Sequence, residues 1–167
     1  TAEPLRELAQ ILLRGPSSLT EAERELIATI VSHKNECVYC TTSHTAAANV
    51  YLGENETAEI VKKDITAAPL SDKMKALLVI ASQVQESGKN VTLASIDAAK
   101  KAGATEMEIH DTVMIAALFC FYNRYVDGLA TFAPADEKYY NDMALRLKEK
   151  GYYRPAAGYD HLKDNKL

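Results

Sequence analysis

Apolar positions recur every three to four residues along most of the chain, and the strict alternation of a half-buried strand is rare. Leu5, Leu8, Ala9 and Leu12 predict a short helix over 5–13, stopped by Gly15-Pro16. Thr20 with Glu23 three residues on forms a capping box and opens a second helix reaching about residue 33, where Lys34-Asn35-Glu36 breaks it. A third runs over 37–51 and ends at Gly53, and a short charged fourth covers 54–63. Ser71 starts a fifth through Met74, Leu77, Leu78, Ala81 and Val84, ending near Gly88. A sixth spans 93–101 and is closed by Gly103. A second capping box, Thr105 with Glu108, begins a long seventh through Tyr125 or Leu129, and residues 134–150 read as an amphipathic eighth. The single hairpin-type dipeptide, Asp127-Gly128, falls at the end of a helical run.

The expected architecture is therefore all-α, with seven to eight helices in one domain over residues 1–150 and an aperiodic C-terminal tail over 151–167. A weak internal echo relates Thr20-x-x-Glu23 and its apolar helix to Ser71-Asp72-Lys73-Met74 and the helix after it. The length of 167 residues, 47% hydrophobic and 25% charged, suits an ordinary globular domain. A net charge of -4 without a basic cluster argues against nucleic acid or an anionic membrane as partner. The longest apolar run, 113–122, is too short to span a bilayer, and Thr1-Ala2-Glu3-Pro4 does not open a signal peptide. Three cysteines are too few for a disulfide scaffold, so a cytoplasmic protein with a local dithiol is expected.

That dithiol is the chemical signal of the sequence. Cys37-Val38-Tyr39-Cys40-Thr41-Thr42-Ser43-His44 reads C-x-x-C-x-x-x-H within a helical stretch. At about 100° per residue, Cys37 and Cys40 lie about 60° apart, Cys40 and His44 about 40°, and Cys37 and His44 about 20°. The three share one stripe. Two thiols at this spacing can close a disulfide once the helix end relaxes, and a histidine one turn on can exchange a proton with a thiolate. A helix N-terminus at Cys37 adds unpaired N–H groups that favour a thiolate. The same three residues would also supply three zinc ligands, with His33, His110 and His161 isolated from them in sequence. Two buried structural thiols are the plainest alternative.

Glu25 precedes Leu26-Ile27-Ala28-Thr29-Ile30-Val31, a stretch apolar on nearly every side. Burial there would make it a proton donor or acceptor near the thiols; at the rim it would pair with Arg24 or a lysine. Asn123, Arg124 and Asp127 interrupt the apolar seventh helix, where Arg124 and Asp127 are spaced to form a buried pair or a subunit contact. Cys120, between Phe119 and Phe121, reads as an inert core thiol. Tyr39, Tyr51 and Tyr122 read as core or interface residues.

Glu25 twelve residues ahead of Cys37, with Cys40 and His44 behind, resembles the signature of the AhpD-like alkylhydroperoxidases of the carboxymuconolactone decarboxylase superfamily. The segments Arg24-Glu25-Leu26-Ile27 and Leu118-Phe119-Cys120-Phe121-Tyr122-Asn123-Arg124 resemble the peroxidase-related branch. The likeness covers roughly residues 5 to 150. It implies an all-helical fold that assembles into homo-oligomers, with the thiols near a helix start and a subunit boundary. It also implies roles: Cys40 peroxidatic, Cys37 resolving, Glu25 and His44 relaying protons. One departure is Tyr39, where the best-known members carry a histidine just before the second cysteine.

The expected function is thus a thiol-dependent peroxidase reducing organic hydroperoxides or hydrogen peroxide through a dithiol/disulfide cycle, with no cofactor and no metal. Its partners would be a hydroperoxide, a thiol or dithiol reductant that could be a protein, and further copies of the chain. The alternatives are a disulfide oxidoreductase or redox-sensing dithiol without peroxidase activity, and a zinc-binding structural module.

Overall fold

A computed structural model describes residues 2–153. These form eight α-helices and no strand: α1 (Ala2–Arg14), α2 (Glu21–Lys34), α3 (Val38–Leu52), α4 (Thr57–Lys63), α5 (Asp72–Glu86), α6 (Leu93–Lys101), α7 (Glu106–Gly128) and α8 (Glu137–Lys150). Two 3-10 turns, Ile65–Ala67 and Gly88–Asn90, lie in the connections flanking α5 and carry no periodic signal in the sequence. Both capping boxes form: the Thr20 and Thr105 hydroxyls accept from the Glu23 and Glu108 backbone N–H groups, and the glutamates reach back to the cap N–H.

Two expected boundaries shift. Helix α8 begins at Glu137 rather than near Pro134, because the Asp136 carboxylate takes the N-cap and accepts from the Lys138 N–H. Helix α4 begins at Thr57, because the Glu54 side chain accepts from the N–H groups of Glu56 and Thr57 outside the helix. Residues 154–167 of the expected tail lie outside the described residues.

Helix α2 is the axis of the core. Every residue from Arg24 to Ser32 is buried, as its all-round apolar pattern requires. Helices α3, α5 and α7 pack around it, and α1 lies across α2 and α7. Leu26, Ile27, Ile30 and Val31 join Leu77, Leu78, Ile80, Ile115 and Phe119 in the main core. Each such side chain contributes about 1.5–3 kcal/mol through removal from water. A smaller cluster, Ala46, Ala47, Tyr140 and Ala144, seats α8 on the far side of α3. Helix α3 is therefore held between α2 and α8, with the thiols at its start and His44 one turn further in.

Candidate active site

The site begins with a turn. Helix α2 ends on Asn35, and Glu36 takes the left-handed conformation with φ of 59°. Cys37 N–H then bonds Ser32 O at 3.1 Å and Glu36 N–H bonds His33 O at 3.0 Å, the pairing of a Schellman cap. Glycine is the usual residue at such a position; here it is a glutamate. Cys37 closes this cap and is at once the N-cap of α3. Its backbone is fixed from both sides, and the thiol stripe inherits that rigidity.

Both thiols are buried: Cys37 is 0% exposed and Cys40 5%. They differ in surroundings. Cys40 lines a cavity of about 280 Å³, walled mainly by Phe119, Tyr122, Tyr125 and Val126 of α7 and by His44; Cys37 stands behind it. The Cys37 thiol donates to the Cys40 sulfur. Burial pushes both thiols up, and this hydrogen bond splits them, raising Cys37 further and easing Cys40 down. The Asn123 side chain also bonds Cys40 and favours its thiolate. Cys40 is therefore the sulfur that ionises first. Burial holds the Cys37 thiol well above its ordinary value although it stands at the helix N-terminus.

Glu25 is fully buried and fully partnered. Its Oε2 lies 2.7 Å from His44 Nδ1, and its Oε1 accepts from Arg14 Nη2 at 2.5 Å and from the Tyr152 hydroxyl at 3.0 Å. Burial alone would raise its pKa, yet the charges and hydrogen bonds of His44 and Arg14 hold the carboxyl below its ordinary value. It is an ionised acceptor. Its partner is Arg14 of α1; Arg24 instead donates to Leu12 O and Gly15 O. An acceptor-only carboxylate assigns the proton to His44 Nδ1, leaving Nε2 to exchange protons. The imidazole meets the Phe119 ring edge-on at 4.5 Å, which fixes its plane.

Arg14 is itself enclosed, its guanidinium 4.7 Å from the Tyr51 ring centroid and 5.1 Å from that of Tyr152. The Tyr152 backbone N–H is tied to Gln10 Oε1 at 2.7 Å. Asn123 is 1% exposed, donates to Ser32 Oγ at 3.0 Å and accepts from Asn35 Nδ2 at 2.8 Å. That chain of amides continues from Asn35 to Gln85 on α5. Cys120 is half-buried beside it, with its Sγ 3.7 Å from Asn35 Nδ2.

Cys37, Cys40, His44 and Glu25 thus meet in one place: the thiols bond each other, His44 bonds Glu25, and Cys40 and His44 share a cavity wall. Arg124 and Asp127 do not form the buried pair that their spacing suggested; both are exposed, and Arg124 donates to Cys120 O at 2.8 Å. Sequence reading missed Arg14 and Tyr152. Arg14 stands beside a Gly-Pro break and Tyr152 in an aperiodic segment, so neither carries a local signal. Asn123 was visible as a polar break in an apolar helix, though not as a partner of Cys40. Among the described residues no three His, Cys, Asp or Glu side chains are grouped to hold a metal ion. No described helix is long and apolar enough to cross a membrane.

Residues 1–60, which hold Glu25, both cysteines of the pair and His44, match the model of the carboxymuconolactone decarboxylase family. The fold agrees with solved structures of peroxidase-related proteins. An uncharacterized peroxidase-related protein from Silicibacter sp. TM1040 superposes with a TM-score of 0.76 at 25% identity, over 83% of this chain and 71% of its own. The matched segment and this likeness of fold support a relationship to the carboxymuconolactone decarboxylase superfamily. A second structure shares this fold: an alkylhydroperoxidase AhpD core, an uncharacterized peroxidase-related protein from Ralstonia eutropha JMP134. It has a TM-score of 0.76 at 24% identity, over 85% of this chain and 73% of its own, a likeness of fold. No curated protein matches the chain.

Proposed function

We propose that this chain is a thiol-dependent peroxidase of the carboxymuconolactone decarboxylase superfamily. The observation that carries the reading is the division of labour between the two sulfurs. Cys40 faces a cavity beside a carboxylate-anchored histidine, and Cys37 waits behind it as a hydrogen-bond donor.

The chemistry follows in balanced steps. His44 accepts the Cys40 proton, directly or through water, and the Glu25 carboxylate offsets the charge that develops on the imidazole. The thiolate attacks the terminal peroxide oxygen, the O–O bond breaks, and Cys40 becomes a sulfenic acid. The departing alkoxide takes the proton back from His44 and leaves as an alcohol. Cys37 sulfur then attacks the Cys40 sulfur, water departs, and a disulfide forms. Two external thiol equivalents reduce it and restore the pair. Tyr39, whose phenol burial raises, stays neutral near pH 7 and shapes the wall rather than relaying a proton.

The enclosure of both thiols favours a small peroxide over a protein disulfide as oxidant. A coupled assay of hydroperoxide consumption with a dithiol reductant tests the reading. Wild type turns over and Cys40→Ser does not. Equal turnover by both, or rapid insulin reduction without peroxide consumption, contradicts it.

A further inference from the structure

A second cavity, about 200 Å³, adjoins the one at the thiol. Arg6, Tyr39, His44 and Tyr152 line both, so the two are chambers of one cleft on either side of the imidazole. Together they reach the lower end of the ~300–1000 Å³ typical of small-molecule pockets. Their chemistry differs. The thiol chamber is apolar and aromatic. The second chamber gathers two half-buried guanidiniums, Arg6 from α1 and Arg146 from α8. It also holds the buried Ser43 hydroxyl, which acts on the Tyr39 phenol. Among the described residues, neither chamber is lined by Asp or Glu. Glu25 behind them is occupied by Arg14, His44 and Tyr152.

We infer that the second chamber is a carboxylate subsite, and that the reactant using this cleft is an apolar molecule bearing a carboxylate. A guanidinium offers five N–H donors in a planar fork, so an arginine engaged elsewhere still presents donors to a carboxylate. Two of them make a charge-assisted site, and the aromatic chamber takes the apolar body. The inference rests on the peroxidase reading for the identity of the reactant. The carboxylate belongs either to the hydroperoxide or to the reducing thiol, both of which must approach the same sulfurs.

Binding is measured apart from turnover. In calorimetry on the wild-type protein, 4-isopropylbenzoate is expected to bind at least about tenfold more tightly than neutral 4-isopropylbenzamide, the worth of one charge-assisted hydrogen bond. Arg6→Gln and Arg146→Gln are each expected to reduce that preference several-fold. Equal affinity for acid and amide on wild type overturns the subsite whatever the variants do, as does a preference that both variants retain. Two rate comparisons then assign the source. Faster oxidation by the para-carboxy derivative of cumene hydroperoxide than by cumene hydroperoxide assigns the carboxylate to the oxidant. Faster reduction of the disulfide form by 3-mercaptopropionate than by its amide assigns it to the reductant. Binding preference with neither rate preference overturns the reactant assignment. Inertness to every peroxide refutes the peroxidase reading, while the calorimetry still decides the subsite.

Discussion

Glu25 shows how much one buried side chain can organise. It accepts from three residues on three different segments and is the only negative charge among them. Replacing it with glutamine leaves Arg14 buried without a counter-charge, which costs about 3–5 kcal/mol by analogy with other broken buried pairs. Glu25→Gln is expected to lower the unfolding free energy by that amount, read from chemical denaturation, and the rate of peroxide oxidation roughly a hundredfold, as loss of general acid–base support does. The pH dependence has a definite sign. The folded pKa of Glu25 lies below the unfolded value of about 4.3, so its stabilisation is complete above that pH and is lost as pH falls through the folded value. Glu108 adds to the same window: hydrogen bonds from Lys73 and the Thr105 N–H overcome burial and hold it down to about 2. Denaturant midpoints between pH 6 and pH 3 should fall steeply in wild type and less so in Glu25→Gln. Tyr152→Phe removes one donor to a charged group and keeps the ring over Arg14, so it is expected to cost about 1.5–3 kcal/mol in the same assay. A loss below about 0.3 kcal/mol would contradict the Tyr152–Glu25 bond.

At the scale of elements, the α2–α3 turn is the most constrained local feature. A glutamate in the left-handed region costs roughly 1 kcal/mol relative to glycine. Glu36→Gly is therefore expected to raise stability by about 0.5–1 kcal/mol, read from chemical denaturation, without altering thiol reactivity. A destabilisation would show that the Glu36 side chain holds contacts that outweigh its backbone strain. The two Thr-x-x-Glu boxes and the Gly53 cap could be read directly from the chain because capping is a local interaction between residues a few positions apart. The late start of α8 could not, because Pro134 and Asp136 both offer a start and only the folded backbone selects the aspartate. The order of the thiols, Cys40 peroxidatic and Cys37 resolving, came from the family resemblance and not from spacing. Spacing put Cys37 at a helix start, whereas desolvation and the sulfur–sulfur hydrogen bond are properties of the packed site.

The whole molecule explains why part of the site was legible and part was not. Glu25, Cys37, Cys40 and His44 lie on two consecutive helices that must pack as an antiparallel pair, so their convergence follows from pattern and a tight turn. Arg14, Asn123 and Tyr152 arrive from α1, from α7 and from the segment after α8. Their roles exist only through long-range packing, and a sequence pass has no period that points to them. The resulting arrangement places one sulfur on a cavity wall and hides the other, and the proposed mechanism depends on that asymmetry. The most direct test is sulfenic acid trapping with dimedone, read by intact-protein and peptide mass, after one equivalent of cumene hydroperoxide on reduced wild type, Cys37→Ser and Cys40→Ser. The expected result is a Cys37–Cys40 disulfide in wild type, a dimedone adduct on Cys40 in Cys37→Ser, and no adduct in Cys40→Ser. An adduct on Cys37 in Cys40→Ser, with Cys40 unlabelled in Cys37→Ser, would reverse the assignment and contradict the account.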